Sequence, residues 1–226
     1  NFDEDQLINL LEGELVHDDR EYQYLGKNVD SSSLVTSSRY EKISFQDSFF
    51  YFNKNIKYVH NKEKKEFNIF QNKPGARAFF YKGFLKDINI NFHGYKNETK
   101  LEPPNYPIDQ RGLSGCLSLI HLNVNNVKIN SNNSSCEDTV NLINVKGSLN
   151  EINIINSYRD ALDIDFSKVD IDYINIVSAG NDCVDLSKGN YKLNRLNLLN
   201  CGDKGLSVGE KSFLQLNEII VEKSVI

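Results

Sequence analysis

The sequence predicts an all-β chain, a right-handed parallel β-helix with three short strands and about 22 residues per turn, and three observations predict it. The blocks Thr139-Val-Asn-Leu-Ile, Ala161-Leu-Asp-Ile-Asp, Cys183-Val-Asp-Leu-Ser and Gly205-Leu-Ser-Val-Gly start 22 residues apart, and Cys116-Leu-Ser-Leu-Ile precedes them by 23. Within each block apolar and small or polar side chains alternate, the period of a strand buried on one face. The same spacing returns in two further strands, with Gly, Asn, Asp and Ser between them.

In the first strand, Val140, Leu162, Val184 and Leu206 are expected to stack inside the coil, as are Leu142, Ile164, Leu186 and Val208. A second strand repeats as Val127-Lys-Ile, Ile152-Asn-Ile, Ile174-Asn-Ile, Leu196-Asn-Leu and Ile219-Ile-Val. A third is visible in Val169/Ile171, Tyr191/Leu193 and Leu214/Leu216. Three strands in so short a repeat leave no room for a helix, which excludes ankyrin-like and leucine-rich helical repeats. Phe84 to Phe92 has the same look, so the coil is expected over residues 65–226. Residues 94–114 hold three of the 4 prolines and read as a loop insertion. Residues 1–64 are less regular and read as an N-terminal cap, with Asp5 to Leu11 as a short helix and Ile43 to Phe52 as a strand. The chain stops at Ile226 within a rung, so the last turn is expected to be open, continued, or covered by self-association.

The net charge of −5, with the acids clustered in one region, argues against a nucleic-acid surface. No apolar run approaches the roughly 18 residues of a membrane span. The absence of Met suggests a fragment or a processed chain, and no leader stands at Asn1. The absence of Trp removes one stacking platform for sugars, which the 11 Tyr and 13 Phe can replace.

Cys116 and Cys136 stand in the same relation to successive turns as Cys183 and Cys201. Either two disulfides form between these neighbours, or four thiols pack in the turns. Disulfides, with the sequons at Asn97, Asn132 and Asn133, would fit an oxidising compartment, so the expected location is secreted or cell-surface.

The alternation that buries Leu162 and Ile164 turns Asp163 and Asp165 outward, and Asp185 and Ser187 one turn later. The outward ladders read Asn141, Asp163, Asp185, Ser207, then Ile143, Asp165, Ser187, Gly209. At the strand entrance stand Asp138, Asp160, Asp182 and Lys204. Carboxylates one strand spacing apart repel, which either raises a pKa or recruits a cation, so Asp163, Asp165 and Asp185 are candidate Ca²⁺ ligands. One carboxyl held protonated beside another that activates water is the pattern of glycoside chemistry. The structural alternative is that these side chains cap turns and hydrogen-bond along the stack.

Tyr158-Arg-Asp-Ala-Leu-Asp-Ile, Gly180-Asn-Asp-Cys-Val and Asp203-Lys-Gly-Leu-Ser-Val-Gly resemble the successive NTDG(I)D, GDDC(I/V) and GHG(I/L)S(I/V)G motifs of polygalacturonase-like glycoside hydrolases, in order and spacing. The resemblance implies the pectin-lyase-like β-helix fold and inverting hydrolysis of galacturonan. It places Asp160 and Asp182 at the two water-activating aspartates. Asn181 stands where that family has its general acid, Lys204 where it has His, and Tyr158-Arg159 where it has Asn-Thr. Asn is no proton donor, so within the same superfamily a lyase or C5-epimerase is the other expectation, with Lys204, Arg159 or Ca²⁺ neutralising a uronate carboxylate.

The expected function is therefore carbohydrate-active: binding or processing an acidic polysaccharide, as hydrolase, lyase or epimerase. The candidate catalytic residues are Asp160, Asp163, Asp182, Asp185 and Lys204; the substrate-binding set is Arg159, Asp165, Asn181 and Ser207. The alternative is a non-catalytic, adhesin-like β-helix module.

Overall fold

The computed structural model describes residues 23–24, 27–28, 40–95, 107–109 and 112–225. The helix expected over Asp5 to Leu11, the sequon at Asn97 and most of the 94–114 insertion lie outside them. The described residues contain no helix. They form a parallel β-solenoid whose rungs repeat every 22 or 23 residues, as Gly115 opposite Asp138 and Asp138 opposite Asp160 record.

Each regular turn pairs a short strand with a long one. The short series is β9 (Asp138–Ile143), β11 (Asp160–Asp165), β13 (Val184–Ser187) and β15 (Leu206–Val208). The long series is β10 (Lys146–Ser157), β12 (Lys168–Ala179), β14 (Asn190–Cys201) and β16 (Phe213–Glu222). In β8 (Gly115–Ser134) the two run together. The second and third strands expected from sequence are joined end to end in the long strand of each turn. Val169 and Ile171 face inward, and so do Ile174 and Ile176, so the inward parity slips by one at Asp172, where pairing to β10 and β14 is interrupted. The strand turns a corner there without ending.

The expected core stack is present: Val140, Leu162 and Val184 are buried one above another, as are Leu142, Ile164 and Leu186. One register differs from expectation. Ile152 lies opposite Ile129, and Val127 opposite Leu149, because register shifts around Leu149 move β10 relative to β8. On the outer face, Asn68, Asn91, Asn130, Asn153, Asn175 and Asn197 form a continuous ladder, with amide bonds such as Asn197 to Asn175 at 2.7 Å.

The corners are set by backbone. His121, Asn144, Phe166, Lys188 and Lys211 recur in the left-handed region, with φ between 49° and 57°, after the short strand of each turn. Asn133, Asn156, Ser178, Asn200 and Lys223, with φ between 53° and 66°, do so at the end of the long one. A single left-handed residue bends an extended chain within one step.

The N-terminal end is closed by antiparallel pairing. Besides a small pair, β1 (Gln23–Tyr24) with β2 (Lys27–Asn28), the segment expected as one strand over Ile43 to Phe52 is a hairpin. Its strands are β3 (Tyr40–Phe45) and β4 (Asp47–Asn53), turning at Gln46 with φ 49°. β4 runs antiparallel to β7 (Ala78–His93). A second hairpin, β5 (Ile56–Asn61) and β6 (Glu66–Gln71), adds β6 parallel to β7. Phe45, Phe50, Phe67 and Phe80 fill this end with edge-to-face and tilted ring contacts. At the other end, the inward positions Ile219 and Val221 of β16 are 39% and 42% exposed.

Disulfides join Cys116 to Cys136 and Cys183 to Cys201. The second closes one turn of the coil across 18 residues. Thr139 and Ser157 hold the matching positions two turns earlier and are hydrogen-bonded at 2.8 Å, while Ala161 and Ala179 hold them in the turn between.

Candidate functional site

The short strands bring the outward residues into columns. Asn141, Asp163, Asp185 and Ser207 are in register on successive rungs, as are Ile143, Asp165 and Ser187. Asp138 and Asp160 pair at the strand entrance. The corner column adds Phe166 and Lys188 beside Asp165 and Ser187.

This face is walled at its upper end. Phe79, Tyr81, Leu113, Ile120 and Ile143 form an apolar cluster outside the coil, with Tyr40, Tyr51 and Phe166 packed against it. The arm that carries Leu113 is tied down by Tyr40, whose hydroxyl donates to Asp109 at 2.7 Å, and by Arg77, which donates to the Pro107 carbonyl at 2.8 Å. The cover leaves Asp138 only 4% exposed and Asn141 3%, while Asp163, Asp165 and Asp185 stay half-buried.

Asn141 sits at the centre. Its amide donates to Asp163 at 3.0 Å, to Asp138 at 3.3 Å and to Ser114 at 3.4 Å, and its carbonyl oxygen is buried with no hydrogen-bond partner. One amide with two protons cannot neutralise two carboxylates, so burial dominates. It pushes Asp138 up to about 7 despite bonds from Ser114 and Asn141. Asp163 is raised well above the ordinary range by burial and then by the surrounding acids Asp138, Asp165, Asp185 and Asp160. Asp165 rises to about 6 through burial and Asp185, with Lys188 pulling the other way. Burial and like charge therefore shift Asp138, Asp163 and Asp165 towards the protonated form.

The entrance column is built differently. Asp160 accepts the Asn181 amide at 2.7 Å and the backbone N–H of Asp182 at 2.8 Å; its pKa is raised by burial, which those bonds oppose. Asp182, 6% exposed, accepts the backbone N–H of Lys204 at 2.9 Å. Both carboxylates thus cap the next rung. Lys204 lies 3.6 Å from Asp182 and 3.0 Å from Asp203, and its pKa is raised first by the bond to Asp203 and then by Asp182. Arg159 points instead to Glu137 at 3.1 Å.

The columns bring Asp163, Asp165, Asp185 and Ser207 together on one face, and Asp160, Asn181, Asp182 and Lys204 together at its edge, with Arg159 turned aside. Among the described residues no three His, Cys, Asp or Glu side chains converge closely enough to hold a metal ion. Sequence reasoning passed over Asp138, Asn141, Ser114, Phe166 and Lys188 as site residues. Phe166 and Lys188 carry a signal that could have revealed them, since each directly follows an outward residue of the Asp165 column at the rung spacing. Ser114 was missed because it stands just before β8, at the edge of the stretch read as a loop insertion. No family model, curated protein or solved structure matches the chain, so the likeness to polygalacturonase motifs stands on those short segments alone.

Proposed function

We propose that the walled acidic strip is a binding face for an acidic polysaccharide, on a secreted or cell-surface protein of pectin-lyase-like build. The observation that carries this reading is the sharing of one buried amide, Asn141, between Asp138 and Asp163. Around it lies a strip in which burial and like charge favour the protonated carboxyl at Asp163 and Asp165, flanked by Phe166 and Lys188. A protonated carboxyl donates to a uronate carboxylate or a ring hydroxyl where an ionised one repels it, and an aromatic edge supports a sugar ring. Asp163 also has the character of a general acid, so turnover is tested with binding. The two disulfides suit an oxidising compartment.

The test is calorimetric titration with Ca²⁺ and then with galacturonate, glucuronate and mannuronate oligomers, on the native chain and on Asp163→Ala and Phe166→Ala. A reducing-end assay runs on each mixture. Binding by one uronate series, lost in both variants, supports the site. Folded proteins that bind nothing sink it.

A second reading is favoured by a separate observation. Asp160 and Asp182, the positions that the resemblance makes water-activating, are engaged by backbone amides of the next rung. In that reading the acids hold the coil together, and the chain is a non-catalytic, adhesin-like module.

A further inference from the structure

At the opposite end of the molecule lies a groove of about 370 Å³, where three elements converge: the β3–β4 turn, the β5–β6 turn and the bend of β7. Its rim carries Lys62, Lys65, Lys86 and His60, all exposed, and its floor is Phe84 with the buried Ile88. No ion pair engages the three lysines among the described residues. Two carboxylates share the rim, Asp47 and Asp87, and Asp87 is held by the amide of Asn126. Gln46 is fully used, accepting the backbone N–H of Lys86 at 2.8 Å and donating to its carbonyl at 2.9 Å, which fixes the β3–β4 turn against the β7 bend.

The charge of the whole chain points the same way. Residues 40–95 hold ten Lys and Arg against five Asp and Glu, whereas residues 112–225 hold ten against fourteen. The chain is acidic in sum but basic over residues 40–95, and this excess of positive charge favours a small anion at the capped end. The groove's size falls at the low end of small-ligand sites, and its apolar floor under a cationic rim matches a ring that carries a negative group.

We propose that this groove binds an anionic sugar ring, carboxylated or sulfated, with its charge on Lys62, Lys65 and Lys86 and its ring face on Phe84. The site is independent of the acidic strip and does not rest on the reading given for it. Because the lysines are exposed, their removal tests the site without threatening the fold.

The experiment is an NMR titration of the isotope-labelled chain with glucuronate, with glucose 6-sulfate, with neutral glucose and with inorganic sulfate, each repeated on Lys62→Gln/Lys86→Gln. The expected result is a saturable shift of backbone amides around Lys62, Lys65 and Lys86 with at least one charged sugar. Affinity should weaken about tenfold in the double variant and fall with added salt, as the loss of charge-assisted contacts requires. Glucose should leave these amides unmoved. The proposal is overturned if neither charged sugar shifts them, if inorganic sulfate binds as tightly as the sugars, or if the double variant binds unchanged. Shifts confined to the Asp163 strip would likewise overturn it, without bearing on that other site's own variants.

Discussion

The carboxylate of Asp160 accepts the backbone N–H of Asp182, one rung along, at 2.8 Å. Asp182 repeats the relation with Lys204 at 2.9 Å. Each acid satisfies an amide of the following turn, where the coil leaves a corner and has no ladder bond to offer. Replacing Asp160 by Ala strips partners from the Asp182 amide and from Asn181, and should cost about 1 to 3 kcal/mol. Asp160→Asn keeps an acceptor and should lose less. Urea midpoints at pH 7 measure both; equal losses would mean that the charge, and not the acceptor, is what matters.

Acidity in the Asn141 cluster has the opposite sign from an ordinary ion pair. Burial pushes Asp138 up to about 7 and Asp165 up to about 6 in the folded chain, and burial with the surrounding acids holds Asp163 well above the ordinary 3.8. The folded chain binds more protons than the unfolded one across this window, so their contribution is fully present below about pH 4 and is lost as pH rises through 6 and 7. Stability should fall between pH 5 and pH 8 by on the order of 2 kcal/mol, and Asp163→Asn, neutral at every pH, should flatten that fall. Thermal melts across this range decide it. A stability that rises from pH 5 to pH 8 would contradict the assignment.

The disulfide from Cys183 to Cys201 closes a loop of 18 residues. Opening it as Cys183→Ala/Cys201→Ala leaves the same pair of side chains that Ala161 and Ala179 supply in the preceding turn, so packing is spared. The loss should be close to the loop-closure term alone, about 3 kcal/mol. Denaturant midpoints of this variant and of the oxidised and reduced chain provide the measurement. Identical midpoints with and without reductant would show that the bridge is not formed.

The repeat was legible because the interior is a stack of like on like. Once Leu162 sits under Val184 and over Val140, spacing alone reports the fold. The cap was not, since Phe45 and Phe50 belong to an antiparallel hairpin that occurs once and leaves no period to detect. At the site, the columns of Asp163 and Asp165 follow from alternation. What gives them their chemistry does not: no local pattern reports that Leu113 joins an apolar cluster outside the coil, or that Asp138 is buried and bonded to Ser114. The roles of Asp160 and Asp182 were open in sequence because a carboxylate that caps an amide and one that activates water look alike there.

The left-handed corners have a consequence for how such a molecule can vary. His121, Asn144, Phe166, Lys188 and Lys211 turn the chain in the same way although they share no chemistry. Geometry at the corner is thus separated from identity at the corner, and a ring, a cation or an amide can be presented there without redrawing the path. Copying residues 160–181 as one extra turn would lengthen the coil by about 4.8 Å and add one more set of outward groups, while the interior met only contacts it already makes. Surface and scaffold are inherited separately in this chain, one rung at a time.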